Sequence, residues 1–242
     1  MHGSRTQNAA LLGELELRLK SEWPIDLAVF PPFVYLTEAA RSLAGGTVAL
    51  GAQDVCAEAG GAFTGEVSAA MLKDVGCSLA LVGHSERRRW YHEDDALVAR
   101  KFAAALHGGL TPMLCIGETL EEREGHATEA VVARQIDAVI AMNGIESFAA
   151  AVVAYEPVWA IGTGLTASPA QAQAVHAFVR RRIAEQNAKI AGQLRILYGG
   201  SVKAANAADL FSMPDVDGGL VGGASLSAEE FYEICAAAAV RH

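Results

Sequence analysis

The chain has 242 residues, 52% of them hydrophobic and 19% charged. That is material for one α/β barrel or two ordinary domains, with no sign of general disorder. The formal charge of −9 argues against a nucleic-acid partner, whose phosphates demand clustered Lys and Arg. It leaves room for a small phosphorylated ligand, because backbone N–H groups bind phosphate without net positive charge. No apolar run reaches transmembrane length and no signal peptide is visible, so no membrane partner and a cytoplasmic location are expected. Cys56, Cys77, Cys115 and Cys235 form no C-x-x-C pair. They read as buried apolar thiols in a reducing compartment rather than disulfides or a metal site.

In chain order, Thr6 to Lys20 carries Leu11, Leu12, Leu15 and Leu19 at helical spacing. Asp26 to Phe30 is a short apolar strand stopped by Pro31-Pro32. Val34 to Leu43 is helical and Gly45-Gly46 closes it. Thr47 to Gly51 is the next strand. Gln53 to Glu66 is a long loop, and loops of that length in compact domains usually serve function. Ser68 caps a helix ending near Gly76, and Leu79 to Val82 is a strand. A polar turn, Gly83-His84-Ser85-Glu86-Arg87-Arg88, follows at once. Asp94 or Asp95 starts a helix to His107; Thr111 to Ile116 is a strand; a charged helix is predicted from about Leu120 to Ala141.

The run Ala151 to Tyr155 reads as a strand buried on both faces, ending on Glu156-Pro157. Proline cannot continue a central ladder. Ser168-Pro169 opens a long helix, Arg195 to Tyr198 is a strand, and Asn206 to Phe211 is a short helix. Gly218 to Val221 is predicted as the last strand and Ala228 onward as the last helix.

Seven apolar runs therefore alternate with helices. Run starts near 26 and 218 enclose six repeats of about 32 residues, the size of one βα unit. Strict alternation means a parallel sheet. His84, Glu118, Glu156, Ser201 and Gly222 all fall just after strand C-termini, the functional face of a (β/α)8 barrel and of a doubly wound sheet alike. No G-x-G-x-x-G follows the first strand, which weakens a dinucleotide fold.

Glu156, under a loop that carries an aromatic residue and two glycines, reads as a general base working away from water. His84, at a helix start, is expected to be a neutral hydrogen-bond donor. Glu86 is placed to orient a nearby cation, Cys115 to pack, and Glu118 to brace a loop. Gly199-Gly200-Ser201 and Gly222-Gly223 are successive glycine loops able to cradle phosphate. A base, a neutral electrophile and a phosphate cradle suggest proton abstraction beside a carbonyl in a small phosphorylated substrate. Its enediolate could lose phosphate in water, which gives a closing lid its purpose.

The segments Gly51-Ala52-Gln53-Asp54, Gly61 to Glu66, Gly83 to Arg88, Cys115 to Glu118, Ala154 to Gly164, Tyr198 to Val202 and Gly222 to Leu226 resemble the triosephosphate isomerase family, in that family's order across almost the whole chain. The resemblance implies a TIM (β/α)8 barrel in a single domain over 1–242 that interconverts dihydroxyacetone phosphate and D-glyceraldehyde 3-phosphate with no cofactor and no metal. It implies Glu156 as the base that moves the proton, His84 polarising the carbonyl, and Glu86 beside a catalytic cation. Gly162, Ser201, Gly222 and Gly223 would hold the phosphate. The lid would run through Pro157, Val158, Trp159, Ala160, Ile161, Gly162, Thr163, Gly164 and Leu165. Phe63, Thr64 and Gly65 would form the tip of a loop that reaches a partner in a homodimer. These glutamate, histidine and lid roles are a worked case in general accounts of enzyme chemistry.

Two departures stand out. Leu165 replaces a lysine frequent in the family's rear hinge. The family also begins with a strand ending in Asn-x-Lys-Met, and Met1-His2-Gly3-Ser4 reads as its continuation. Seven of eight strands are thus expected, in a chain truncated at its N-terminus relative to the family. The expected alternative is an impaired phosphate-binding or interaction protein on the same scaffold.

Overall fold

The structure, a computed structural model, describes residues 1–19, 22–161 and 166–240. Helix α1 (Arg5–Arg18) comes first, capped by the Ser4 hydroxyl, which accepts from Gln7 N–H. Then follow β1 (Leu27–Val29), α2 (Leu36–Ser42), β2 (Val48–Ala52), α3 (Ala69–Asp74), β3 (Leu79–Val82), α4 (Ser85–Trp90) and α5 (Asp95–His107). Next are β4 (Thr111–Ile116), α6 (Leu120–Glu124), α7 (Thr128–Asn143), β5 (Val152–Tyr155), α8 (Pro169–Ala184) and α9 (Ala188–Gln193). The chain closes with β6 (Arg195–Tyr198), α10 (Ala204–Phe211) and α11 (Ala228–Ala239).

The sheet is parallel, in order β1-β2-β3-β4-β5-β6, as alternation predicts. Side chains alternate across it with the period of two that a strand imposes. Leu81, Met113, Cys115, Val152 and Ala154 point inward with Leu79, Leu197 and Leu220. Ala80, Val82, Leu114, Ile116, Val153, Tyr155, Ile196 and Tyr198 point outward, against helix residues such as Phe102, Ile136 and Val179. The sheet is rolled: Arg195, at the start of β6, reaches Asp26, just before β1, at 2.5 Å. The two outermost strands thus come within two side-chain lengths at their N-terminal ends.

The seven-strand expectation is met only in part. Six runs form strands among the described residues, and Gly218 to Val221 makes one bridge, Tyr198 to Gly219. Two ladder bonds accompany it, Tyr198 N–H to Gly218 O (2.9 Å) and Leu220 N–H to Tyr198 O (3.0 Å). The physical reason is one-sided support: the run pairs with β6 alone, and its first two residues are glycines with no side chain to pack. Helices nonetheless cover this gap. Leu15 of α1 packs with Ala228, Phe231 and Cys235 of α11, while Leu12 joins Leu36 and Ala39 of α2 in the main core.

Two helix boundaries also differ from expectation. The helix predicted from Leu120 to Ala141 is two helices, because Gly125-His126-Ala127 turns the chain and His126 takes a φ of 57°. Helix α9 is an addition, started by the Asn187 side chain accepting from Lys189 and Ile190 N–H.

Candidate active site

Glu156 leaves the C-terminal end of β5 only 2% exposed. Its backbone N–H donates to Ile116 O at 2.7 Å, which prolongs the β4–β5 ladder by one step, and Pro157 then ends it. Gly117 permits this approach: a Cβ there would sit 1.8 Å from Glu156 O. Gln135 of α7 holds Gly117 on both sides, accepting from its N–H at 2.8 Å and donating to its carbonyl at 3.1 Å.

His84 lies at the end of β3, where Gly83 at φ 73° turns the strand into α4. Its Nδ1 accepts from Glu86 N–H at 3.3 Å, so Nε2 carries the ring proton. That nitrogen donates to Glu156 Oε1 at 2.9 Å, and Ser85 N–H donates to Oε2 at 2.9 Å. The pattern is that of the neutral hydrogen-bond donor expected, but the expected direction of its pKa shift needs correction. Burial lowers the His84 pKa, but the hydrogen bond and charge of Glu156, with help from Glu86, turn the net shift upward. The sequence offered the helix start; it did not offer a carboxylate in contact.

Glu86 is exposed, with Oε2 4.0 Å from His84 Nδ1, and among the described residues no lysine or arginine lies within salt-bridge distance of it. Ser201 follows β6 in the loop before α10, and Gly222 precedes a 3₁₀ turn over Gly223–Leu226. Gly200 packs where a Cβ would meet the Tyr198 hydroxyl oxygen at 2.2 Å, whereas Gly222 and Gly223 present open backbone. One cleft of about 2220 Å³ is lined by His84, Glu86, Glu156, Ile161, Gly199, Gly200, Ser201, Gly222 and Gly223. It also runs down the rolled interior past Leu81, Met113 and Leu197, opening between β1 and Val221.

Of the expected lid, Pro157 and Ala160 are buried and Val158–Ala160 forms a 3₁₀ turn. Gly162, Thr163, Gly164 and Leu165 lie outside the described residues. Glu118, fully buried, is the brace the sequence suggested. Its Oε1 accepts from Trp159 Nε1 (3.0 Å), Tyr155 OH (3.0 Å) and Arg123 (3.1 Å), and the Arg123 guanidinium stacks over the Trp159 ring. Cys115 is wholly buried, and burial drives its thiol pKa well up, so it packs and does not react. Phe63, Thr64 and Gly65 are exposed at the tip of the loop from 53 to 66 and do not line the cleft. A backbone bond from Cys56 N–H to Val67 O pins that loop at its base.

Sequence reasoning missed a buried charge cluster beside the site. Lys101 Nζ donates to both Asp54 oxygens (2.7 and 2.8 Å) and to Glu93 (2.6 Å). Arg87 joins the same two carboxylates. The signal was present: Lys101 sits at helical spacing with Val98, Phe102 and Ala105, on the buried face of α5. Among the described residues no group of three or more His, Cys, Asp or Glu is arranged to hold a metal ion.

The family model described as triosephosphate isomerase matches residues 1–238. A protein of Thiobacillus denitrificans named triosephosphate isomerase is 62% identical over 239 residues, covering 99% of this chain and 95% of that relative. Proteins of the same name from Dechloromonas aromatica and Xanthomonas oryzae pv. oryzae are 56% and 55% identical, covering 98% and 99% of this chain and 95% of each relative. With a match that spans nearly its whole length, the chain belongs to the triosephosphate isomerase family.

Proposed function

We propose that this chain interconverts dihydroxyacetone phosphate and D-glyceraldehyde 3-phosphate, the glycolytic activity for which its relatives are named. The observation that carries the site assignment is the buried Glu156 carboxylate held 2.9 Å from His84 Nε2 at the mouth of a cleft edged by the glycine loops. Glu156 takes a proton from one carbon of the substrate and returns it to the next. His84 donates from Nε2 to the substrate oxygens as negative charge develops there. Substrate must first displace the His84–Glu156 bond, which frees both groups together. Ser201 and the N–H groups of Gly222 and Gly223, with Gly162 of the lid, take the phosphate; the open backbone at Gly222 and Gly223 supports this. Closure over Pro157 to Leu165 would exclude water, with Trp159 swinging off Glu118.

The fold is read as the larger part of an eight-stranded barrel, in one domain. Six strands and a bridged seventh run surround an apolar interior, and β1 and Val221 both line the cleft, where one more parallel strand would complete the barrel. A lysine on such a strand would face Glu86 and the substrate. A homodimer is the proposed assembly, supported by the exposed Phe63 at the tip of the loop from 53 to 66 and by the exposed Trp90 and Tyr91 at the end of α4. A cytoplasmic location fits four buried, free cysteines.

A coupled assay in both directions tests the function, run on this chain and on one with a Gly-Asn-Trp-Lys-type strand joined before Met1. Isomerase turnover, rising in the extended chain, supports both readings. Binding of inorganic phosphate with no turnover in either chain would refute the enzyme reading.

A further inference from the structure

The buried cluster behind the site ties together four pieces of the chain. Asp54 lies two residues after β2, near the start of the loop from 53 to 66; Arg87 belongs to α4; Glu93 lies in the turn between α4 and α5; Lys101 lies within α5. Asp54, Glu93 and Lys101 are 5%, 4% and 4% exposed. Two carboxylates and two cations balance, and each cation touches both carboxylates. Such a group tolerates removal of one member poorly, since the remaining buried charges lose their compensation.

Helix α4 has six residues and no buried one. A helix that short has little stability of its own and takes its position from tertiary anchors. Its anchors are two neighbouring arginines. Arg88 donates to Gly83 O and Asp95, and Arg87 enters the buried cluster, its guanidinium 4.6 Å from the centre of the Tyr91 ring. His84 is the N-cap of this helix, and its Nδ1 is fixed by the helix's own first turn. Arg87 therefore acts with Arg88 and the Ser85 N–H bond to Glu156 in locating the imidazole that meets Glu156.

We infer that Lys101 is a positioning residue: by holding Asp54 and Glu93 together it fixes Arg87, and through α4 it sets the His84 Nε2–Glu156 geometry. Lys101 does not itself line the cleft, whereas its partner Asp54 and Arg87 do, so it acts on the site through these contacts. The activity arm of the test rests on the proposed isomerase reading; the spectroscopic arm does not.

The test uses the full chain and Lys101→Met, which keeps the stem and removes the ammonium. A small displacement of a reacting group costs on the order of 100-fold in rate, so kcat is expected to fall about 10- to 100-fold with KM within about twofold. The His84 Nε2–H proton resonance, assigned by its loss in His84→Gln, should move or broaden. The charge-balanced double variant, Glu93→Gln with Lys101→Met, should recover most of both signals. Should Lys101→Met fail to fold, Glu93→Gln alone removes a charged anchor of Arg87 and should shift the same resonance. A folded variant with an unmoved His84 resonance overturns the inference, whether or not its melting temperature drops. A resonance that shifts while turnover is absent in every chain leaves the positioning role standing and counts against the isomerase reading.

Discussion

Two sides of the rolled sheet carry different loads. On the β3–β5 side every outward residue from Ala80 to Tyr155 is buried, and α5, α7 and α8 cover them. Glu156 and His84 rise from the ends of these strands, so the proposed base and electrophile stand on the well-packed wall. On the opposite side β1 is three residues long and only half-buried, its neighbour across the cleft makes a single bridge, and α1 lies over the space. Of the two proposed phosphate-binding loops, Gly222-Gly223 hangs from that looser rim, while Gly199-Gly200-Ser201 follows the well-buried β6. The family's chemistry asks for this division: proton transfer needs sub-ångström placement, whereas a phosphate can be followed by loops that move.

Truncations at matched positions should expose the difference. Leu114→Ala on β4 empties a fully buried site and should cost about 3 kcal/mol, inside the usual range for core leucines. Leu27→Ala on β1 removes a partly buried side chain and should cost on the order of 1 kcal/mol. Urea denaturation of the two variants measures this, and equal losses would erase the distinction between the two sides.

Acid should attack the well-packed side first at His176. The ring is fully buried between α8 and the Tyr155–Tyr198 pair, and its Nδ1 faces the Asp215 carbonyl at 3.1 Å. Burial holds its pKa down at about 4, against the partial opposition of that backbone bond. A group depressed on folding contributes stability above its unfolded pKa of about 6.5 and loses it as pH falls towards the folded value. The loss should reach roughly 3 kcal/mol near pH 4. His176→Asn should flatten this part of the stability–pH curve; a curve of unchanged steepness would count against it.

The smallest effect belongs to Asp26 and Arg195, which meet across the bottom of the cleft. Both are well exposed, at 75% and 60%. Solvent screening leaves such a pair worth under about 1 kcal/mol. Asp26→Asn should lower the melting temperature by a degree or two at most and do so less in high salt.

Much of this fold could be read from the residues. Leu79–Val82, Thr111–Ile116 and Arg195–Tyr198 fall on the predicted strands because apolar runs with clear breakers leave little choice. Helix α5 begins at its Asp94 cap and α8 at its Ser168-Pro169 signal for the same reason. What escaped depends on distant neighbours. Gly218 to Val221 has the composition of a strand and lacks a second partner to pair with. The His84–Glu156 contact joins two strand ends 72 positions apart, and no local pattern encodes its length or its effect on the histidine. Lys101 reads as an ordinary helix residue because its partners, Asp54 and Glu93, come from two other segments.

The assignment of Glu156 is tested most directly by proton exchange rather than by overall rate. In D2O, a chain that abstracts a proton beside the carbonyl should place deuterium on the substrate carbon, followed by proton NMR of dihydroxyacetone phosphate. We predict incorporation with the unaltered chain and a fall on the order of 1000-fold with Glu156→Gln, while phosphate binding at the glycine loops is retained. Exchange in Glu156→Gln at the rate of the unaltered chain would contradict the role of Glu156 as the base.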